Sequence, residues 1–419
     1  MKTMKRIAMI FMMVFLTGMV FAQEQEKISI SRIRIYLDDE EITSESENEN
    51  QIKFSTILSF TNFQVDKEMT LPAVEKEMQQ TKLRLMNSGL FYNVTVEKMK
   101  SRKNPGTYII YINVTTGFLK RYGGGGIYAV LGNAALHGNR DMLLWYFGWN
   151  KNGLSYLNEN CFGVPVILGG EFFTDAPQGL FSEKIISGND GVDFSGKGTF
   201  GGFITPDLRL CVDVATDFNC SSVAFTKDFA ISPYLSQAKL ISEQFSWTSE
   251  LRFAFFPLDN WNKKYEGAFT FNFTPTPKLT LATLAAGGYS DENLFCGIKL
   301  LRGESNLCQN LGLSNREIRS GYSEEDLTVR GYLMTSAEVR WNAVSFMIPP
   351  CFPCSIVPYA FADVAFVEKQ TGRENQFLDA YGFGCQLNFD CPVFVHFNFS
   401  YGFNHFGKGR FSFAVMQSF

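Results

Sequence analysis

From residue 118 to residue 419 the chain is written in segments of about ten residues in which apolar and polar side chains alternate, and a period of two commits such segments to β-strands. The clearest is 393–404. Val393, Val395, Phe397, Phe399, Tyr401 and Phe403 fall on one face, and Phe394, His396, Asn398, Ser400, Gly402 and Asn404 on the other. Residues 380–389, 337–343 and 269–274 repeat the pattern. A soluble sandwich also alternates, but its strands are shorter and its charges face outward. Here one face is crowded with aromatic rings, in a chain with 42 Phe and 16 Tyr among 419 residues, which suits a lipid-facing surface around a polar lumen. An Arg on the lipid face near mid-membrane costs roughly 2–4 kcal/mol, so Glu338 and Arg340 are expected to point inward. At about 18–19 residues per strand and connection, residues 118–419 hold about 16 strands, the even number such a barrel requires.

The N-terminus agrees with export. Lys2, Lys5 and Arg6 precede an apolar run over 7–21, and Val20 and Ala22 stand where a signal peptidase needs small residues, so 1–22 is expected to be a signal peptide rather than a retained anchor helix. Gln23 follows the cut, which gives no site for a lipid anchor. After Ala22 no apolar run reaches the roughly 20 residues of a transmembrane helix, so strands must make any crossing. A net charge of −4 and a pI near 5.6 argue against nucleic-acid binding. The nine cysteines are an odd number, so at least one thiol stays unpaired or joins another chain. Three close pairs, Cys211 with Cys220, Cys351 with Cys354 and Cys385 with Cys391, bracket turns; they are equally compatible with local disulfides and with buried free thiols. Beyond Cys351 and Cys354 no second Cys or His pair has zinc-ligand spacing, and no cofactor motif is present.

Residues 23–117 read as a compact α/β domain. Ile28, Ile30, Ile33 and Ile35 mark a strand with a register irregularity, and the acidic stretch 38–51 reads as a solvated loop. A short helix is expected over 52–60. A longer one starts at Thr70 as N-cap, carries Leu71, Val74, Met78 and Leu85 on one face, and ends at Gly89. Two strands, 91–97 and 107–115, form a hairpin through a basic turn.

This order, with Asn87-Ser88-Gly89-Leu90-Phe91-Tyr92-Asn93-Val94 leading into the hairpin, resembles a polypeptide-transport-associated (POTRA) module, although a generic α+β sandwich shares the order. In the remainder, Val329-Arg330-Gly331-Tyr332 is followed by five alternating segments: 334–346, 356–367, 378–389, 393–404 and 410–419. With Glu338-Val339-Arg340, Phe361-Ala362-Asp363-Val364-Ala365 and the terminal Phe419, the chain resembles the outer-membrane assembly-factor superfamily, which includes the Bam and Tam barrels, two-partner-secretion transporters and bacterial surface antigens. The resemblance implies a sixteen-stranded transmembrane β-barrel over 118–419, preceded by one POTRA-like periplasmic domain. It implies that Arg330 sits at a loop tip folded into the lumen and is clasped there by Asp363, with Glu338 as second partner. It makes Phe411, Phe413 and Phe419 the sorting signal of the last strand. It also makes Phe91, Asn93, Val94 and Val96 an edge for unfolded clients. The run Tyr122-Gly123-Gly124-Gly125-Gly126 lacks the Lys-Ser/Thr of a phosphate loop, and reads either as a flexible joint or as a poorly paired first barrel strand.

The function implied is assistance to protein insertion or translocation at the bacterial outer membrane, with outer-membrane lipids, unfolded barrel or secreted clients and periplasmic lipoproteins as partners. The alternative is a passive pore or surface antigen without clients. A hydrolase is disfavoured, because none of His137, His396 and His405 adjoins an evident Ser and acidic partner.

Overall fold

The computed structural model describes residues 27–44 and 52–417, apart from the connections 176–191, 221–224, 291–329, 349–351, 369–375 and 391–393 and some isolated positions. The segment 1–22, Val329 and Phe419 fall outside the described residues.

The N-terminal domain comprises β1 (Lys27–Leu37), β2 (Glu40–Ile42), α1 (Phe54–Leu58), β3 (Glu68–Thr70), α2 (Leu71–Asn87), β4 (Phe91–Lys100) and β5 (Thr107–Thr116). The sheet order is β2-β1-β5-β4, with β3 added to the start of β1. β1 and β5 run parallel, a pairing that needs a long crossover, and the two helices lie in it. The irregularity in β1 is real and falls between Ile30 and Arg32. It switches the inward parity from Ile28 and Ile30 to Ile35 and Leu37, so all four stay in the core. α2 starts at Thr70 with Pro72 in its first turn, where a missing N–H costs nothing, and it ends at a Ser88 cap. Val74 and Leu85 are fully buried in the same cluster as Ile110, Ile112 and Val114 of β5.

The acidic stretch departs from expectation at its start. Asp38 and Asp39 adopt φ of 51° and 70°, the left-handed pair that closes a two-residue hairpin, and Glu40–Ile42 returns along β1 as β2. Burial of Ile42 rewards that return, and charge composition gave no hint of it.

The rest is one sheet. Its strands are β6 (Lys120–Gly125), β7 (Tyr128–Ala134), β8 (Asp141–Gly148), β9 (Lys151–Asn158), β10 (Val166–Asp175), β11 (Val192–Thr205), β12 (Leu208–Cys220), β13 (Phe225–Leu240), β14 (Phe245–Phe256), β15 (Asn262–Thr276), β16 (Leu279–Ser290), β17 (Gly331–Trp341), β18 (Val344–Ile348), β19 (Phe352–Glu368), β20 (Gln376–Asp390), β21 (Phe394–Phe403) and β22 (Gly409–Gln417). Sequence neighbours pair antiparallel, and β22 lies beside β6 to close the barrel. β17 and β18 follow one another along β19, interrupted at Asn342 and Ala343, so they form one stave and the described residues make sixteen.

Burial alternates as the period of two requires. Along β17, Tyr332, Met334, Ser336 and Glu338 are buried while Leu333, Val339 and Trp341 are exposed. Trp145, Phe172, Phe200, Leu251, Phe383 and Phe411 continue an exposed apolar and aromatic surface around the outside. On the inside lie Asp213, Glu250, Glu338, Asp363, Asn398 and Ser400, all buried. One close contact explains a glycine. Tyr359 pairs with Gly384 across the sheet and lays its ring where a Cβ would stand, while its hydroxyl donates to Asn398 Oδ1 at 2.7 Å. An apolar, aromatic outside and a polar inside make this a transmembrane β-barrel preceded by a small α/β domain.

Candidate functional site

Two features stand out: a charged lumen wall and a junction where the N-terminal domain grips one rim. The junction is built on three successive turns, β7–β8, β9–β10 and β11–β12. In the first, Gly138 has φ of 70°, and this leaves its carbonyl facing α1. That oxygen accepts both the Lys53 amide, at 2.8 Å, and the Thr56 hydroxyl, at 2.9 Å. Ala134 and Ala135 of the same turn enter the domain's own hydrophobic core. In the second turn, Asn160 is fully buried and donates to Thr56 Oγ1.

The third turn supplies Asp207, and here the contact is ionic. Arg84 of α2 donates to both Asp207 oxygens at 2.7 and 3.2 Å, to Glu77 at 2.8 Å and to the Phe60 carbonyl at 3.0 Å. Burial alone would lower the Arg84 pKa; the hydrogen bonds to Asp207 and Glu77 outweigh it and hold the group above its ordinary value. Beside this triad the Arg140 guanidinium is sandwiched at 4.3 Å from the Phe60 ring and 4.6 Å from the Phe203 ring, and Glu159 pairs with it at 2.9 Å.

From Glu159 a line of paired charges climbs the lumen wall. Glu159 also meets Arg209 of β12 at 3.1 Å. Further up, Arg252 of β14 bridges Asp213 at 2.8 Å and Glu250 at 3.1 Å, and it lies over the Tyr234 ring. Lys197 and Glu171 pair at 3.0 Å between β11 and β10. Glu159 lies in the β9–β10 turn, the other charges come from the inward parity of their strands, and pairing is what makes their burial tolerable.

The residues picked out in the sequence are placed as follows. Glu338, Arg340 and Asp363 point into the lumen, as their parity demands, with Glu338 and Asp363 only 2% and 1% exposed. Glu338 pairs with Arg340 at 2.8 Å, and Asp363 accepts from Ser336 directly across the sheet. Arg330 is not brought to either carboxylate. Gly331 and Tyr332 are the first residues of β17, and Arg330 extends that strand, its N–H donating to Glu368 O and its C=O accepting from Ser290 N. Its guanidinium meets the Ser290 carbonyl at 3.2 Å and the Tyr289 ring at 5.1 Å. Asp363 is five positions along β19 from Glu368, about 17 Å at strand rise. The physical reason is that the alternation of β17 continues back through Tyr332, so Arg330, Gly331 and Tyr332 form a strand end instead of a free loop tip.

Phe91, Asn93, Val94 and Val96 lie on β4, which is the edge of the small sheet: β5 is its one strand partner among the described residues. Phe91 and Val94 are buried, whereas Tyr92 is 84% exposed. On β22, Phe411 is outward and exposed, and Phe413 pairs with Phe399 in the ladder. His137 Nδ1 contacts Asp141 at 2.7 Å, with Tyr156 on the same carboxylate. Cys211 and Cys385 carry free thiols, which decides two of the three close pairs against a local disulfide. Sequence reasoning missed Thr56, Arg84, Gly138 and Asp207. Their partners lie 82 and 123 residues away, and no local spacing signals such a contact.

Searches by sequence find no family model and no curated protein that matches the chain. Solved structures do match by fold. CdiB from Acinetobacter baumannii aligns with a TM-score of 0.55 and 11% identity over 94% of this chain and 74% of its own. CdiB from Escherichia coli aligns at 0.51 and 10%, over 94% and 77%. BamA from Haemophilus ducreyi lacking POTRA domains 1-3 aligns at 0.47 and 15%, over 94% and 85%. At these identities the likeness to the CdiB structures is one of fold.

Proposed function

We propose that the protein assists the insertion or translocation of β-rich proteins at the bacterial outer membrane, with the N-terminal domain on the periplasmic side acting as a POTRA-like module. One observation carries this reading: a sheet whose edge strand β4 is open among the described residues is held under the rim of a sixteen-stave barrel by three turns of that rim. An open edge offers unpaired backbone donors and acceptors to an incoming strand, and a fixed mount would deliver that strand to one place at the barrel mouth. The CdiB fold likeness supports the same class of role. The basic and then apolar run over 1–22, read as a signal peptide, supports the location. The proposed role is non-enzymatic. Periplasmic lipoproteins are proposed partners.

A photo-crosslinker at Tyr92, on the exposed edge of β4, tests this. It should capture nascent outer-membrane proteins in cells, and depletion of the protein should lower the abundance of other barrels. A passive barrel would give neither result.

A further inference from the structure

The open face of the small sheet carries a pocket that client handling by the β4 edge does not use. On this face, away from the helices, Tyr36 of β1, Asn113 of β5 and Thr95 of β4 stand directly opposite one another on successive strands. Asn113 donates to Thr95 Oγ1 at 3.1 Å, and Tyr36 stacks on Tyr111 with ring centroids 6.4 Å apart. Asp39, Asn93, Val114 and Thr115 complete an open pocket of about 370 Å³ around this row.

The two aspartates of the β1–β2 turn divide their work. Asp38 accepts from the Thr116 amide and hydroxyl and so secures the end of β5. Asp39 holds a φ of 70°, where an L side chain is strained and glycine is favoured. Among the described residues its carboxylate has no side-chain partner, and it lines the pocket. A strained residue that keeps its side chain at a pocket wall is a candidate for ligand contact.

The chemistry of the lining selects the ligand class. Asp39 repels phosphates and carboxylates. One carboxylate is too few hard ligands for a calcium site. One aromatic ring and one valine among amides, hydroxyls and an acid give no apolar enclosure for a greasy ligand. What matches an aromatic face flanked by an acid, two amides and two hydroxyls is a ring with an apolar face and a rim of hydroxyl groups. The row also runs across the strands, whereas an added peptide strand runs along them. We propose that this pocket binds a neutral oligosaccharide of pyranose units, laid across the sheet with one ring against Tyr36 and its hydroxyls on Asp39, Asn93 and Asn113.

The test uses the full-length protein in a zwitterionic detergent without a sugar headgroup, titrated by calorimetry with chitotetraose and separately with maltotetraose. Saturable binding of at least one is expected. Asp39→Gly should weaken it at least tenfold while keeping or raising the thermal midpoint, because glycine relaxes the left-handed backbone. Asn93→Ala should weaken it as well. No saturable binding of either sugar overturns the proposal, as does binding left unchanged by both substitutions. A β-strand peptide whose binding is lost on Asp39→Gly would assign the pocket to polypeptide and overturn it too.

Discussion

Arg84→Ala should release the N-terminal domain from the barrel rim. The Arg84, Glu77 and Asp207 side chains are 9%, 9% and 12% exposed, so removing the guanidinium leaves the Asp207 carboxylate without its partner in a poorly solvated junction, while Glu77 keeps the Asn62 amide and the Thr81 hydroxyl. Breaking a buried ion pair from one side costs about 3–5 kcal/mol. At about 1.4 kcal/mol per tenfold, that raises the population of the undocked state by roughly two to three and a half orders of magnitude. The contacts of Lys53 and Thr56 with Gly138 and the Arg140 sandwich remain, so docking weakens without being abolished. The reporter is the Lys53 amide, because its acceptor is a barrel carbonyl. Its hydrogen exchange should accelerate at least a hundredfold in Arg84→Ala and by less in Asp207→Asn, where Glu77 still holds the guanidinium. The Ile110 and Ile112 amides of β5 should keep their protection. Lys53 exchange within threefold of the parent would refute the latch.

Other outcomes follow from the barrel. Phe383→Arg, on the outer face midway along β20, should lower unfolding free energy in lipid vesicles by roughly 2–4 kcal/mol, and a loss below about 0.5 kcal/mol would mean that this face does not meet lipid. Arg330→Ala and Asp363→Ala, separated along the ladder, should destabilise additively to within about 0.5 kcal/mol in a double-mutant cycle; strong coupling would restore the clasp that the family resemblance implies. Deleting Phe419 should leave export intact and reduce the heat-modifiable barrel recovered from membranes, and an unchanged yield would remove its role in sorting.

The barrel was legible because its signal is local and repeated. Parity along 334–346, with Glu338 and Arg340 on one side, predicted which residues face the lumen, since a misplaced charge in lipid is costly. The same parity extends back to Tyr332 and marks Gly331 and Tyr332 as part of β17, whereas the four-residue motif taken alone points to a loop. In the small domain, Val74, Met78 and Leu85 announced α2 by spacing. β2 was hidden because three residues carry too little periodicity, and its turn is made by two aspartates instead of the Asn-Gly that advertises a hairpin. The junction was illegible for a different reason. Arg84 and Asp207 are ordinary surface residue types whose partnership exists only once the chain has folded.

The grip on three adjacent turns also bears on the order of folding. Loop closure costs more as the intervening chain lengthens, and the costliest pairing is β22 beside β6, which joins the two ends of the barrel. The small domain emerges first and can complete its own core early. Once Gly138, Asn160 and Asp207 are captured, the turns between β7 and β12 have fixed positions, so these six staves grow from a template while the other ten must find their register from their neighbours alone. Nucleation at the N-terminal side and closure as the final, slowest event follow from that asymmetry.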